Sequence, residues 1–282
     1  MKKKRNTIPF ALLLIIHTTL LVFTFRKNED KKKLFVLLMS NIGFAYLFEY
    51  IVLNIFKAYT YKPKVMKKPF LDDIVGAILS QAFFVPFTAV FLTSEKIGWV
   101  GKLCGGLYFS IVELIFVRLK IFKKHWWKTV YTLILIPIYF KFSDLWKWGL
   151  DRKYKTLKVT SLFLMMMVTE ANALFLFAVT RKFRFGIGKF HTWKEHFVIV
   201  PLYAISTSLM STILLLRENS WKHKLMALIS SIFLNAFFEK IRLLKSKIHW
   251  LVLILIRINL IVLYGIYRDF VFGNEEEKTE NK

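Results

Sequence analysis

The sequence has little with which to cross-link itself or hold a metal. Its single cysteine, Cys104, excludes an intrachain disulfide and a cysteine-based metal cage. With Gly105 and Gly106 beside it in an apolar stretch, Cys104 reads as a small packing residue. No His-Glu-x-x-His pair, nucleophile elbow or phosphate loop occurs. Gly186 and Gly188 lie in a basic loop with no predicted strand before them, which argues against a nucleotide site. His191 and His196 are spaced wrongly for one helical face and read as interfacial. No catalytic residue, metal or cofactor is expected.

Acidic side chains are scarce too. Eighteen Asp and Glu stand against 43 Lys and Arg, a formal net charge of +25. A nucleic-acid binder gathers such charge on one face or tail. Here it falls in short clusters, Lys2 to Arg5, Lys62 to Lys68, Arg118 to Lys128 and Arg181 to Lys194, separated by apolar stretches. Clusters of that kind orient helices and meet anionic headgroups, each basic residue contributing ~1 kcal/mol near the surface. A lipid bilayer is therefore the expected partner, and nucleic acid is not.

Long polar stretches are missing as well. The chain is 56% apolar and 17% aromatic, with 29 phenylalanines. The apolar runs are Ile8–Phe25, Leu34–Phe56, Leu71–Thr93, Ile97–Val117, Thr129–Trp146, Val159–Thr180, Phe197–Leu216, Leu225–Leu243 and Trp250–Tyr267. At 1.5 Å per residue each helix would be roughly 27 to 35 Å long, the thickness of the hydrocarbon layer. The expectation is an all-α polytopic bundle of about nine transmembrane helices. No small-x-small cleavage site follows the first run, so it reads as an uncleaved signal anchor. Lys and Arg favour the loops on the N-terminal side, placing the N-terminus inside and the C-terminus outside a bacterial cytoplasmic membrane. Trp126, Trp127, Trp146, Trp148, Trp193, Trp221 and Trp250 lie near run ends, as an aromatic belt would.

The acidic residues inside the runs recur. Glu49 and Glu170, Glu113 and Glu239, and Asp144 and Asp269 are pairs 121 to 126 positions apart. A basic loop leads into His125–Trp126–Trp127 in one half and His249–Trp250 in the other. Fixed-period similarity of this kind predicts a duplication. The division is an anchor helix and loop (1–33), two four-helix repeats of the same orientation (34–148 and 149–270) and an acidic tail (271–282).

Ionisable groups in hydrocarbon are costly, about 2.5 to 3.5 kcal/mol at mid-bilayer on insertion scales, so they are expected to face the bundle interior. Glu170, with Asn172, lies deepest; Glu49 lies nearer the inner end. Arg257, with Asn259, is the central arginine and pairs with Glu170 or Glu239. Glu113 and Glu239 carry less weight, being close enough to the interface to reach water, Arg118 or Arg242. Such a set serves as a proton relay, an ion path or a headgroup pocket, or it locks the repeats together by interhelical bonds. His125, Trp126, Trp127, His249 and Trp250 are interfacial candidates; His125 with Glu113 is the nearest approach to a lipid-directed catalytic pair. Asp72 and Asp73 read as helix-start residues. Gly101-x-x-x-Gly105 reads as a packing motif, and Pro86, Pro137 and Pro201 as tolerated kinks.

The stretch from Glu113 to Arg118, then Lys123–Lys124–His125–Trp126–Trp127–Lys128 and Tyr131, resembles multi-pass membrane proteins of spore-forming Gram-positive bacteria that have no assigned activity. The resemblance is strongest over Leu34 to Trp148, and Trp127 has no tryptophan counterpart in the second half. It implies an envelope or sporulation role, with a membrane-protein partner, and brings no reaction or ligand. Three readings stand: a non-catalytic membrane protein, a small ion-coupled permease using Glu49, Glu170 and Arg257, and a lipid-directed enzyme.

Overall fold

A computed structural model describes residues 6–188, 191–217 and 220–276. Among them the chain forms nine helical rods and two short strand pairs, an all-α bundle. Seven rods are long and apolar enough to cross a membrane. The other two, Thr129–Asp151 and Trp221–Lys240, have the length but are more polar, with Lys141, Asp144 and Lys147 in one and Lys222, Lys224 and Glu239 in the other. The chain divides into two compact units, Met1–Tyr154 and Lys155–Lys282.

Unit 1 contains α1 (Thr7–Lys27), α2 (Lys31–Glu49) running into a π-helical segment Tyr50–Ile55, and β1 (Tyr59–Tyr61). Next comes one rod made of α3 (Pro69–Ile78), a π-helical segment Leu79–Phe84 and α4 (Val85–Ser94). It closes with α5 (Trp99–Arg118), β2 (Phe122–Lys124) and α6 (Thr129–Asp151). Asp30 starts α2 by accepting from the Lys33 amide at 2.9 Å, and Pro69 opens α3, where its missing N–H costs no bond. α2 and α4 are buried on nearly every side. α1, α5 and α6 pack around them and turn apolar faces outward. On α5 the exposed stripe is Val100, Leu103, Leu107, Ile111 and Leu114, at helical spacing. In water such a stripe would need a cover; in hydrocarbon it is the lipid face. α6, despite its charges, shows a similar stripe in Val130, Leu133, Ile134 and Ile138.

Glycine sets the closest helix approach. A Cβ on Gly106 would stand 2.5 Å from Pro137 Cγ, and one on Gly105 2.7 Å from Phe140. α5 and α6 therefore meet at a separation that a larger residue would forbid. Cys104 is exposed, so its expected packing role is not met: it lies on the outward face while its glycine neighbours make the contact.

The strands tie helix ends together. β1 pairs antiparallel with β2, Tyr59 opposite Lys124 and Tyr61 opposite Phe122. The ends of α2 and α5 thus lie at the same end of the unit. The chain start joins them: Asn6 Nδ2 donates to the Lys62 carbonyl at 3.1 Å and Thr7 Oγ1 to that of Pro63 at 3.0 Å. Asp72 and Asp73 do more than begin a helix. Asp72 accepts from the amides of Lys64, Val65 and Met66 at 2.8 to 2.9 Å, and Asp73 from that of Tyr61 at 2.7 Å, so two carboxylates shape the whole loop.

Unit 2 contains α7 (Lys155–Val179), β3 (Phe183–Phe185), α8 (Trp193–Arg217), α9 (Trp221–Lys240), β4 (Leu244–Ser246) and α10 (Trp250–Glu276). β3 pairs antiparallel with β4, Phe183 opposite Ser246 and Phe185 opposite Leu244. Phe183, Phe185, Leu244, Leu174 and Tyr203 form its core. α9 shows an outward stripe of Met226, Ile229, Phe233 and Phe237. A strand does precede Gly186, contrary to expectation, but the glycine serves packing: a Cβ there would lie 2.5 Å from His191 Cα. His191 and His196 are buried rather than interfacial. The His191 ring faces the carbonyls of Arg184 and Arg242 at 3.1 and 3.0 Å, and His196 Nδ1 accepts from the Phe185 amide at 3.0 Å.

The two strand pairs are built alike. Lys57 after the α2 rod and Arg181 after α7 have left-handed φ of 49° and 61°; Lys120 after α5 and Arg242 after α9 have 60° and 61°. Lys62 N–H donates to the Ile121 carbonyl at 2.8 Å, and Gly186 N–H to that of Leu243 at 3.0 Å. His125 N–H reaches Ala58 at 2.8 Å, and Lys247 N–H reaches Lys182 at 2.6 Å.

Candidate functional site

Two buried glutamates are met by different surroundings. In unit 2, Glu170 is 1% exposed and Arg257 is 5% exposed. Arg257 Nη1 donates to Glu170 Oε1, and Tyr264 donates its hydroxyl to Oε2 at 2.9 Å. Arg257 Nη2 donates to the Tyr203 hydroxyl at 2.9 Å, and that hydroxyl donates onward to Asn235 Oδ1. Thr169 and Tyr267 share a hydrogen bond of 3.0 Å one residue along the helix. Both carboxylate oxygens are satisfied and the charge is matched, as a buried ion pair requires. Glu170 is thus Arg257's partner, and Glu239 is not: Glu239 is exposed near the end of α9. Asn172 donates back to the Val168 carbonyl at 2.9 Å. Asn259 is exposed and donates to the Leu255 carbonyl at 2.7 Å, so it stands apart from the Arg257 network.

In unit 1, Glu49 is 6% exposed and is met by neutral donors. Tyr59 donates to its Oε2 at 2.6 Å, and Gln81 Nε2 to the same oxygen at 3.0 Å. Among the described residues Oε1 has no hydrogen-bond partner, and no ammonium or guanidinium stands within ion-pair distance. The backbone here is irregular. Glu49 immediately precedes one π-helical segment and Gln81 lies within the other. Such segments recur at functional positions, because they re-aim side chains that an α-helix would place elsewhere.

Beside this group lies a cavity of about 400 Å³. Tyr59, Gln81, Glu113 and Trp127 are among the residues that supply polar atoms, and phenylalanines such as Phe10, Phe44, Phe84 and Phe109 are the commonest residue in the rest of the wall. Glu113 is buried, not at the water surface as expected. Its neighbour is Lys124, with Nζ 3.6 Å from Oε1, rather than Arg118. Thr129 donates to Oε1 at 2.7 Å and Thr132 to Oε2. Trp127 is also buried and donates to Thr132 Oγ1 at 2.9 Å. It is a wall of the cavity rather than a member of an interfacial belt.

β1 closes this end of the cavity. Burial, reinforced by the charge of Glu49, holds the Tyr59 phenol well above its ordinary range, so the ring remains a hydrogen-bond donor. Tyr61 is held up in the same way, first by burial and then by Glu49, with smaller contributions from Asp73 and Glu113 that a Ser80 hydrogen bond opposes.

The other interfacial candidates take peripheral places. His125 is exposed, its Nε2 3.0 Å from Thr60 Oγ1, and Glu113 is engaged by Lys124, Thr129 and Thr132. The two do not form a catalytic pair. Trp126 donates to the Phe56 carbonyl at 2.8 Å from an exposed position. His249 stacks on Trp250, centroids 6.0 Å apart, at the start of α10, both exposed. Among the described residues no group of three His, Cys, Asp or Glu could hold a metal ion. Sequence reasoning missed Tyr59 and Gln81; the one signal was a tyrosine pair, Tyr59 and Tyr61, close after a glutamate-bearing span.

Comparison of the chain with family models, curated proteins and solved structures finds no match.

Proposed function

We propose that this integral membrane protein belongs to the bacterial cytoplasmic membrane, binds a small ligand in the unit-1 cavity, and carries out no covalent chemistry on it. One observation carries the reading: Glu170 is neutralised by Arg257, whereas Glu49 is left with neutral donors beside a 400 Å³ aromatic cavity. A buried carboxylate without a counter-charge is costly to keep and is expected where a ligand or proton supplies the missing charge. The volume falls in the range of about 300 to 1,000 Å³ common for small-molecule pockets.

The test is mild-detergent purification from the native host, with mass spectrometry of what remains bound, on the wild type and on Ala45→Phe. Ala45 is buried and lines the cavity, so the larger ring fills it. A compound retained by the wild type and lost from the variant supports the reading. A stoichiometric membrane-protein partner held equally by both, with no small molecule, would make the chain a subunit instead.

We further infer that the two units descend from one duplicated four-helix ancestor. The left-handed residues support a spacing of 124 positions at the first strand and 122 at the second, from Lys57 to Arg181 and from Lys120 to Arg242. Counted that way, Glu170 corresponds to Tyr46 and Glu113 to Asn235, so the recurring acids are displaced by about one helical turn. Duplication with diverged polar groups fits a neutralised unit and a ligand unit. The N-terminus, with both strand pairs, is assigned to the cytoplasmic side by the excess of Lys and Arg in those loops. An envelope role, with anionic lipid or a membrane protein as partner, rests on the resemblance described above.

A further inference from the structure

We infer that the ligand of the unit-1 cavity is a hydrophobic organic cation: a lipophilic ammonium or phosphonium ion held against aromatic faces, its charge answered by Glu49 and Glu113. The inference rests on the ligand-binding reading above and adds the sign of the ligand's charge.

The wall is made of rings to a degree that a neutral apolar ligand does not require. Phe84, Phe109, Phe116, Phe122, Trp127 and Tyr139 all line the space. A bilayer-facing pocket for an acyl chain is served equally well by leucine, isoleucine and valine, which this chain uses freely on its lipid faces. Aromatic faces carry negative potential, and they attract a cation most where water is excluded. The polar groups have the same sign. Glu113 lines the cavity directly, and Glu49 stands behind Tyr59 and Gln81, two lining residues that donate to it at 2.6 and 3.0 Å. Lys124 offsets one carboxylate, at 3.6 Å from Glu113. Glu49 Oε1 has no partner among the described residues. An anion entering here would face the Glu113 carboxylate directly with Glu49 behind its two donors, and a neutral molecule would leave a proton as the one balance for Glu49. A cation supplies the charge that Arg257 supplies to Glu170 in unit 2.

The test uses the full chain in detergent micelles, tetraphenylphosphonium as the probe and triphenylphosphine oxide as its uncharged counterpart, read by equilibrium dialysis. Saturable binding of tetraphenylphosphonium is expected, weakened on the order of tenfold or more by Glu49→Gln. It should be abolished by Ala45→Phe and unchanged by Glu239→Gln, an exposed residue of unit 2 that does not line the cavity. Equal affinity for both probes, with both lost in Ala45→Phe, overturns the cation and leaves the ligand-binding reading in place. Absence of binding by either probe, with no compound retained on purification, overturns both. A second measurement uses only the wild type. Carbodiimide labelling of Glu49, located by peptide mass spectrometry, is expected to be blocked by tetraphenylphosphonium and not by triphenylphosphine oxide; labelling at the same rate with and without the cation overturns the inference.

Discussion

Tyr59 donates its hydroxyl to Glu49 Oε2 over 2.6 Å, and it does so from a strand outside the helix that carries the acid. The bond therefore couples the strand pair at the end of unit 1 to the junction of α2 with its π-helical segment. Because β1 is held to β2, and the Tyr61 amide to Asp73, a change in the charge of Glu49 is felt by the loop that closes the cavity. Unit 2 has no such coupling at the corresponding strand, where Phe183 stands in β3 and carries no hydroxyl.

Glu49→Gln is the first substitution to make. Glutamine keeps an acceptor oxygen for Tyr59 and Gln81 and removes the uncompensated charge. The variant is expected to reach the membrane at wild-type abundance, with a melting temperature within about 2 to 4 °C of the wild type, corresponding to ~1 kcal/mol or less. Ligand retention, and any ion-coupled flux in proteoliposomes, is lost. Unimpaired retention and flux in this variant would make Glu49 a structural residue.

Glu170 and Arg257 are expected to behave in the opposite way. Removing one partner leaves a buried charge unmatched, so Glu170→Gln or Arg257→Met alone costs about 3 to 5 kcal/mol. Removing both leaves no orphaned charge, and the double variant recovers much of that loss. A double-mutant cycle on thermal unfolding in detergent measures it. Strictly additive losses would show that the two residues do not act as a pair.

The contrast explains what the sequence displays and what it hides. Helix number and membrane location follow from run length and hydropathy, which report depth along a helix. A partner for Arg257 in Glu170 or Glu239 was legible because opposite charges within the spans have few alternatives to meeting; the structure selects Glu170. Depth says nothing about direction around the axis. Trp127 therefore passed for an interfacial ring although it turns inward to Thr132, and Cys104 for a packing residue although it faces out. The strands β1 to β4 are three residues each, too short for an alternating pattern to rise above the flanking basic loops. Without them the acids were paired by count, Glu113 with Glu239, whereas the spacing of the strand pairs proposed above sets Glu113 opposite Asn235.

Gly76 gives a test of the loop geometry that is independent of charge. A Cβ at this position would stand 2.2 Å from Tyr61 Cβ, a backbone-adjacent atom that cannot swing aside while β1 is paired. Gly76→Ala is expected to destabilise the protein by about 1 to 3 kcal/mol and to weaken ligand retention by moving Tyr61. Gly98→Ala, where nothing lies within 4 Å, is the matched control and is expected to be silent. Equal melting temperatures for the two variants would contradict the close approach of α3 to β1.

Alkaline titration probes the tyrosines directly. A phenol in water ionises near pH 10, but burial and the neighbouring Glu49 hold Tyr59 and Tyr61 far above that. Below about pH 10 both the folded and unfolded chains keep these protons, so the stabilising contribution is complete. Above it the unfolded chain releases them while the folded chain does not, and stability falls as pH rises toward the folded value. The absorbance change at 295 nm should therefore come in two parts: reversible ionisation of exposed tyrosines with the fold intact, then a steep step coincident with unfolding. Tyr61→Phe keeps the ring and removes one proton from the balance, so its stability is expected to decline less steeply above pH 10. If all 11 tyrosines titrate together near pH 10 while the helical signal is unchanged, β1 does not seal the end of the cavity.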